Sequence, residues 1–227
     1  MNTFTDLSLS TDLVEALGAS GITKPTPIQC AALPRLLTGE NLLFSSETGT
    51  GKTLCYLLPA FEKCRQETER RAPAVLIIAP THELASQIKR ESLSLAERSH
   101  IPVTTALLVG GAPLKRQIDV LKQKPRIVVG GPARIIELVR LKKLDIRSVS
   151  MLVLDEIDRM LAPEMRDMVK ELILMIPDSA QLIACSATIS AYQARLVEDM
   201  ARESGRVKAA PASYIVPLLS QPSEDIL

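Results

Sequence analysis

An α/β domain built on an open, mostly parallel sheet with helices on both faces is the fold class this sequence predicts. Three observations predict it. Short apolar runs recur along the chain and alternate with segments of helical spacing. The run from Ala74 to Ala79 is uniformly apolar, as a parallel strand covered on both faces requires. Glycine-rich turns, acid pairs and hydroxyl residues fall just after the carboxyl ends of these runs, the edge where open parallel sheets bind ligands.

In chain order, Ser10 precedes Leu13, Val14 and Leu17 with Gly18 after them, the pattern of a short capped helix. Gly21 to Pro27 holds two prolines, which fix φ and push the residues before them out of helical space, so a rigid loop is expected. Helical spacing resumes from Ile28 to Leu37, with an interruption expected at Pro34. Leu42 to Ser45 reads as the first strand, and a helix follows from Leu54 to Thr68. Ala74 to Ala79 is the second strand, ended by Pro80-Thr81 and followed by a helix over Glu83 to Leu95. Val103 to Val109 predicts a strand stopped by Gly110-Gly111, then a helix over Leu114 to Leu121. Arg126 to Val129, Ser150 to Leu154 and Gln181 to Cys185 complete six strands. Ala133 to Leu141, Met160 to Ile176 with a split near Pro163, and Tyr192 to Ala201 complete the helices. Past Gly205 the pattern weakens into Pro211, Pro217 and Pro222. Residues 1–205 therefore read as one domain, and 206–227 as a terminal strand and linker.

Bulk composition narrows the partners. The 227 residues carry 46% hydrophobic and 23% charged side chains, which excludes a disordered chain and is ample for a full core. The net charge is only +1, so a nucleic-acid partner has to be held by a local patch. Apolar runs such as Leu172 to Ile176 are too short to span a bilayer, and Met1 to Asp12 shows no secretory pattern, so a cytoplasmic protein without a membrane partner is expected. Cys30, Cys55, Cys64 and Cys185 lack paired metal-type spacing and read as thiols kept reduced in a cytosol.

The chain is organised around Ser46-Glu47-Thr48-Gly49-Thr50-Gly51-Lys52-Thr53, which joins an apolar strand to a helix. This is the setting of a phosphate loop. Glycines let the backbone curl so that several N–H groups converge on one anion, and the helix N-terminus adds its positive dipole end. Lys52 would reach the β/γ-phosphates and the Thr53 hydroxyl would take a place on Mg²⁺. Ser46 stands where the general pattern has glycine, a mild departure because serine is small. Asp155-Glu156 follows the strand ending at Leu154. Beside such a loop, Asp155 is suited to Mg²⁺ and Glu156 to deprotonating the attacking water; on its own the pair would equally suit the start of a helix.

With these elements in order, the chain resembles the N-terminal, RecA-like P-loop NTPase domain of the DEAD-box ATP-dependent RNA helicases, from Phe4 to about Thr188. The resemblance implies ATP as the bound nucleotide, RNA as the partner, and a second RecA-like domain that supplies arginine fingers. No His-Arg-x-Gly-Arg-like run occurs in these residues, so the partner domain is expected further along a longer chain or from elsewhere. By the same resemblance the segment Gly21 to Gln29 reads adenine, with Lys24, Thr26 and Gln29 at the nucleotide, Phe4 packed over the base, and the cradle running from Thr48 through Gly49, Thr50 and Gly51 to Thr53. Asp155-Glu156-Ile157-Asp158 matches the family's acidic motif with Ile for Ala, and Asp158 is implied to bond toward Ser186-Ala187-Thr188, coupling nucleotide state to unwinding. For RNA, the implied contacts are Pro80, Thr81, His82 (Arg in the family), the Gly110-Gly111 pair, and Arg134 in a Gly131-Pro132-Ala133-Arg134 run that lacks the family's threonine. These departures leave two rivals in play: a non-catalytic RNA-binding or assembly module keeping a nucleotide pocket, and another phosphate-loop ATPase such as a DNA helicase.

Overall fold

Strands β1 (Leu42–Ser45), β2 (Val75–Ile78), β3 (Thr105–Leu108), β4 (Ile127–Gly130), β5 (Met151–Asp155), β6 (Gln181–Ser186) and β7 (Ser213–Ile215) form one sheet in the order β3-β4-β2-β5-β6-β1-β7. Each neighbouring pair is parallel, in the computed structural model that describes residues 3–66 and 73–205 and the backbone of 213–215. The first six are the strands expected from the apolar runs. Strand β7 adds to the outer side of β1, with Leu42 beside Ser213, and the remainder of 206–227 lies outside the described residues.

Side chains alternate between two cores. Val75, Ile77, Met151, Val153, Leu42 and Phe44 face one side; Leu76, Ile78, Leu152, Leu154 and Leu43 face the other. The first core is closed by α1 (Thr11–Ala19), α2 (Pro27–Leu37), α3 (Lys52–Gln66) and α4 (His82–Ser99). The second is closed by α5 (Leu114–Leu121), α6 (Pro132–Arg140), α7 (Ile157–Met160), α8 (Pro163–Met175) and α9 (Ala191–Glu203). Burial on both faces explains why the strands read as continuous apolar runs.

Several local expectations are corrected. Helix α2 runs unbroken through Pro34, because the capping box of Thr26 with Gln29 and the buried Ile28, Ala32, Leu33 and Leu36 hold it despite one lost backbone bond. Ser10 occupies the cap position of α1 without a side-chain cap bond; its N–H donates instead to the buried Glu62 carboxylate at 2.6 Å, and its hydroxyl has no partner among the described residues. That helix ends at Ala19, beyond Gly18, and Gly21 carries the positive φ of +76°. Helix α4 extends to Ser99, four residues past the expected Leu95.

Candidate active site

The turn after β1 is held at both ends. Ser46 N–H donates to Ser186 O at 3.1 Å, tying the start of the loop to the end of β6. Gly49 (φ +83°) and Gly51 (φ +90°) take left-handed conformations that favour glycine. The Thr50 hydroxyl donates to Glu47 O at 2.7 Å and accepts from Ser46 Oγ at 2.8 Å. Lys52, the first residue of α3, folds its ammonium onto the loop, donating to the carbonyls of Ser46 and of Glu47, the latter at 2.7 Å. Its charge is thus held in the mouth of the turn, where a phosphate would meet it.

The acid pair lies one strand away from β6. Asp155 ends β5 with 4% exposure, and three donors converge on it: the Tyr56 hydroxyl at 2.7 Å, the Cys185 thiol at 3.2 Å and the N–H of Glu156 at 2.9 Å. Burial, and then the Asp155 charge, push the Tyr56 phenol well above its ordinary range, so it stays a donor. Burial likewise raises the thiol of Cys185, and that of Cys55 to about 12. Glu156 sits at φ +53°, a left-handed position that costs a non-glycine residue on the order of 1–3 kcal/mol and aims its carboxylate off the strand end. That carboxylate meets Arg159 at 3.0 Å.

Both elements line one cavity of about 830 Å³, with Thr48, Gly49, Gly51, Lys52 and Thr53 on one wall and Asp155, Glu156 and Asp158 on the other. The cavity continues between α1 and α4 past Leu17, Ile22 and Leu95. Thr53 and Asp155 are hard oxygen donors of the kind Mg²⁺ takes, and glycine turns beside a lysine suit a polyphosphate, so the residues present fit Mg·nucleotide. Asp158 receives the Thr188 hydroxyl at 3.4 Å, and its carbonyl receives Gln193 Nε2 of α9 at 3.4 Å. Ser186 does not join them: its hydroxyl is buried with no partner among the described residues.

The base-reading group is placed differently from expectation. Gln29 is 1% exposed, its Oε1 accepting Thr26 N–H at 2.9 Å and its Nε2 donating to Gly51 O at 3.1 Å. The Thr26 hydroxyl donates to Thr50 O at 2.8 Å. Thr26 and Gln29 therefore brace the phosphate loop, and neither lines the cavity. Phe4, 2% exposed, is packed in the first core and offers no open ring face for a base to stack on. Lys24 is exposed.

Of the strand-end residues, Thr81 caps α4 by accepting Leu84 N–H at 3.2 Å, Pro80 precedes it, and His82 is exposed at the helix start. Gly110 and Gly111 form an exposed turn after β3. Arg134 corrects its expectation: its side chain is 14% exposed, and its guanidinium is paired through Nε with Glu137 at 3.0 Å and directed at Ala112 O at 3.4 Å. It is occupied within the protein and not open to a phosphate.

The sequence matches the DEAD/DEAH box helicase family over residues 26–196. The chain belongs to that family. Similar DEAD-box proteins include the ATP-dependent RNA helicase CshC of Bacillus cereus, 38% identical over 200 residues, covering 88% of this chain and 50% of the relative. The DEAD-box ATP-dependent RNA helicase CshA of Bacillus anthracis is 31% identical over 221 residues, covering 97% of this chain and 41% of that one. The chain spans about half the length of these curated relatives. Among solved structures, a DEAD box protein from the hyperthermophile Methanococcus jannaschii superposes with a TM-score of 0.82 at 28% identity, over 95% of this chain and 55% of that one.

Four residues around this site were missed in the sequence. Tyr56 lies one helical turn beyond Thr53, a spacing that puts both on one side of α3, and that was the available signal. Cys185 had the strand-end position but reads as core. Arg159, three residues after Glu156, and Gln193, in a Ser-x-x-Gln capping pattern, were readable by spacing.

Proposed function

We propose that this chain is the ATP-binding half of an ATP-dependent RNA helicase, residues 1–205 being the first RecA-like domain and 206–227 a terminal strand and linker toward a second. The observation that carries the reading is the single cavity shared by the Lys52 turn and the Asp155-Glu156 pair. Lys52 holds the β/γ-phosphate oxygens, exchanging its loop carbonyls for them. Asp155, fixed by Tyr56, Cys185 and the Glu156 N–H, and Thr53 would hold Mg²⁺, which would supply neutralisation of the charge developing on the transferred phosphoryl group. Glu156 takes the proton of the attacking water, its strained backbone keeping the carboxylate at the cavity rim. Asp158 with Thr188 relays nucleotide state, while Ser186 joins the phosphate loop to β6 through its carbonyl. The resemblance at Gly21 to Gln29 supports adenine as the base, with Lys24 exposed and Thr26 and Gln29 joining that segment to the phosphate loop.

Pro80, Thr81, His82 and the Gly110-Gly111 turn supply the RNA side of the same sheet edge, a surface that grips backbone and reads no base. Acting on RNA with reduced thiols, the protein works in the cytoplasm. An arginine finger is worth roughly 10³–10⁵ in rate. This half alone therefore binds nucleotide and hydrolyses it very slowly. The occupied Arg134 favours one rival, an assembly module that keeps the pocket without using it. The two separate on ATPase activity of the full-length protein with and without RNA: RNA stimulates the wild type, and Glu156→Gln lowers the stimulated rate by about 10²-fold or more. Equal hydrolysis by wild type and Glu156→Gln would leave the non-catalytic reading.

A further inference from the structure

Gln117 on α5 is 5% exposed and spends its whole amide on one turn. Its Oε1 accepts Val109 N–H at 3.1 Å, and its Nε2 donates to Val109 O at 3.0 Å and Ala112 O at 3.1 Å. Arg134 reaches the same Ala112 carbonyl from α6. Two helices thus converge on the flanks of Gly110-Gly111 while making no bond to the glycines themselves. Both glycines are exposed, Gly111 has φ +78°, and a Cβ on either would point into open space. Their N–H groups have no acceptor among the described residues. A turn clamped at its flanks and bare at its centre presents fixed N–H donors to solvent. Such donors hold phosphate oxygens without reading sequence.

We propose that Gln117 is a positioning residue for RNA: it sets the Gly110-Gly111 backbone as a phosphate-binding turn, with Arg134 a second clamp in place of a phosphate contact. The inference rests on the RNA helicase reading. Without Gln117 the buried Val109 N–H and C=O lose their partners and the turn loosens.

The test uses the full-length protein. Binding of a fluorescent single-stranded oligouridylate is measured by anisotropy with a nonhydrolysable ATP analogue, and binding of fluorescent ADP is measured alone. Gln117→Met, similar in length and lacking both amide functions, should weaken RNA binding about tenfold while ADP affinity stays within about twofold, and should speed amide hydrogen exchange at Val109, whose N–H the Gln117 carbonyl holds, without RNA. Arg134→Gln separates clamp from contact. A lost phosphate contact on a single strand would lower the salt slope by about 0.7, whereas a lost clamp weakens binding with the slope unchanged. If Gln117→Met does not fold, Arg134→Gln supplies the same readouts. Wild type and both variants binding RNA equally would overturn the inference and leave the helicase reading standing; wild type that binds no RNA would overturn both.

Discussion

Gly51 shows how one residue joins two parts of the site. It adopts φ +90°, and a Cβ there would run into the Gln29 amide nitrogen that bonds its carbonyl. Gly51→Ala therefore forces backbone strain and displaces the brace, each of order 1–3 kcal/mol. Nucleotide affinity measured by calorimetry should fall at least about tenfold, with helix content by circular dichroism retained; unchanged affinity would detach the Gln29 brace from the site. That Gly51 must be glycine was legible from the phosphate-loop pattern. What fills the space beside it was not, because Gln29 lies 22 residues away and its amide suits an adenine edge and a backbone carbonyl equally well. Asp155 teaches the same lesson. Its strand-end position was readable, but the Tyr56 and Cys185 donors come from a helix and a strand that only the folded sheet brings together.

At the scale of elements, caps connect secondary structure to chemistry. Ser190 and Gln193 form a capping box at the start of α9, and the same Gln193 reaches Asp158 O. Ser190→Ala should cost about 1 kcal/mol of stability in denaturant unfolding, the usual worth of such a cap. A loss near zero would mean that α9 is held by its packing alone. Helix spans were legible where apolar spacing was strong, as over Leu114 to Leu121, matched at both ends. Boundaries failed where tertiary packing overrode a local rule. Pro34 stays inside α2 because that helix lies against the first core. At Ser10 the residue type was readable but its bonding was not: the hydroxyl makes no cap bond, and the N–H reaches Glu62, 52 residues away.

For the whole molecule, the order of strands turns separated motifs into one site. β6 lies between β1 and β5, so the loops leaving β1 and β5 flank its end, with α3 on one face and α7 on the other. Alternating apolar runs announced a parallel sheet, yet no run names its neighbour, since a strand buried on both faces has nearly the same composition wherever it sits. The pairing of loop and acids was legible only because the two motifs belong to one mechanism. Calorimetric titration of a nonhydrolysable ATP analogue tests that pairing most directly, with Mg²⁺ and with chelator, into wild type, Lys52→Ala and Asp155→Asn. The account predicts that Lys52→Ala weakens binding at least about tenfold in both conditions, and that Asp155→Asn does so only when Mg²⁺ is present. An analogue that binds all three proteins alike, with no response to Mg²⁺, would contradict it.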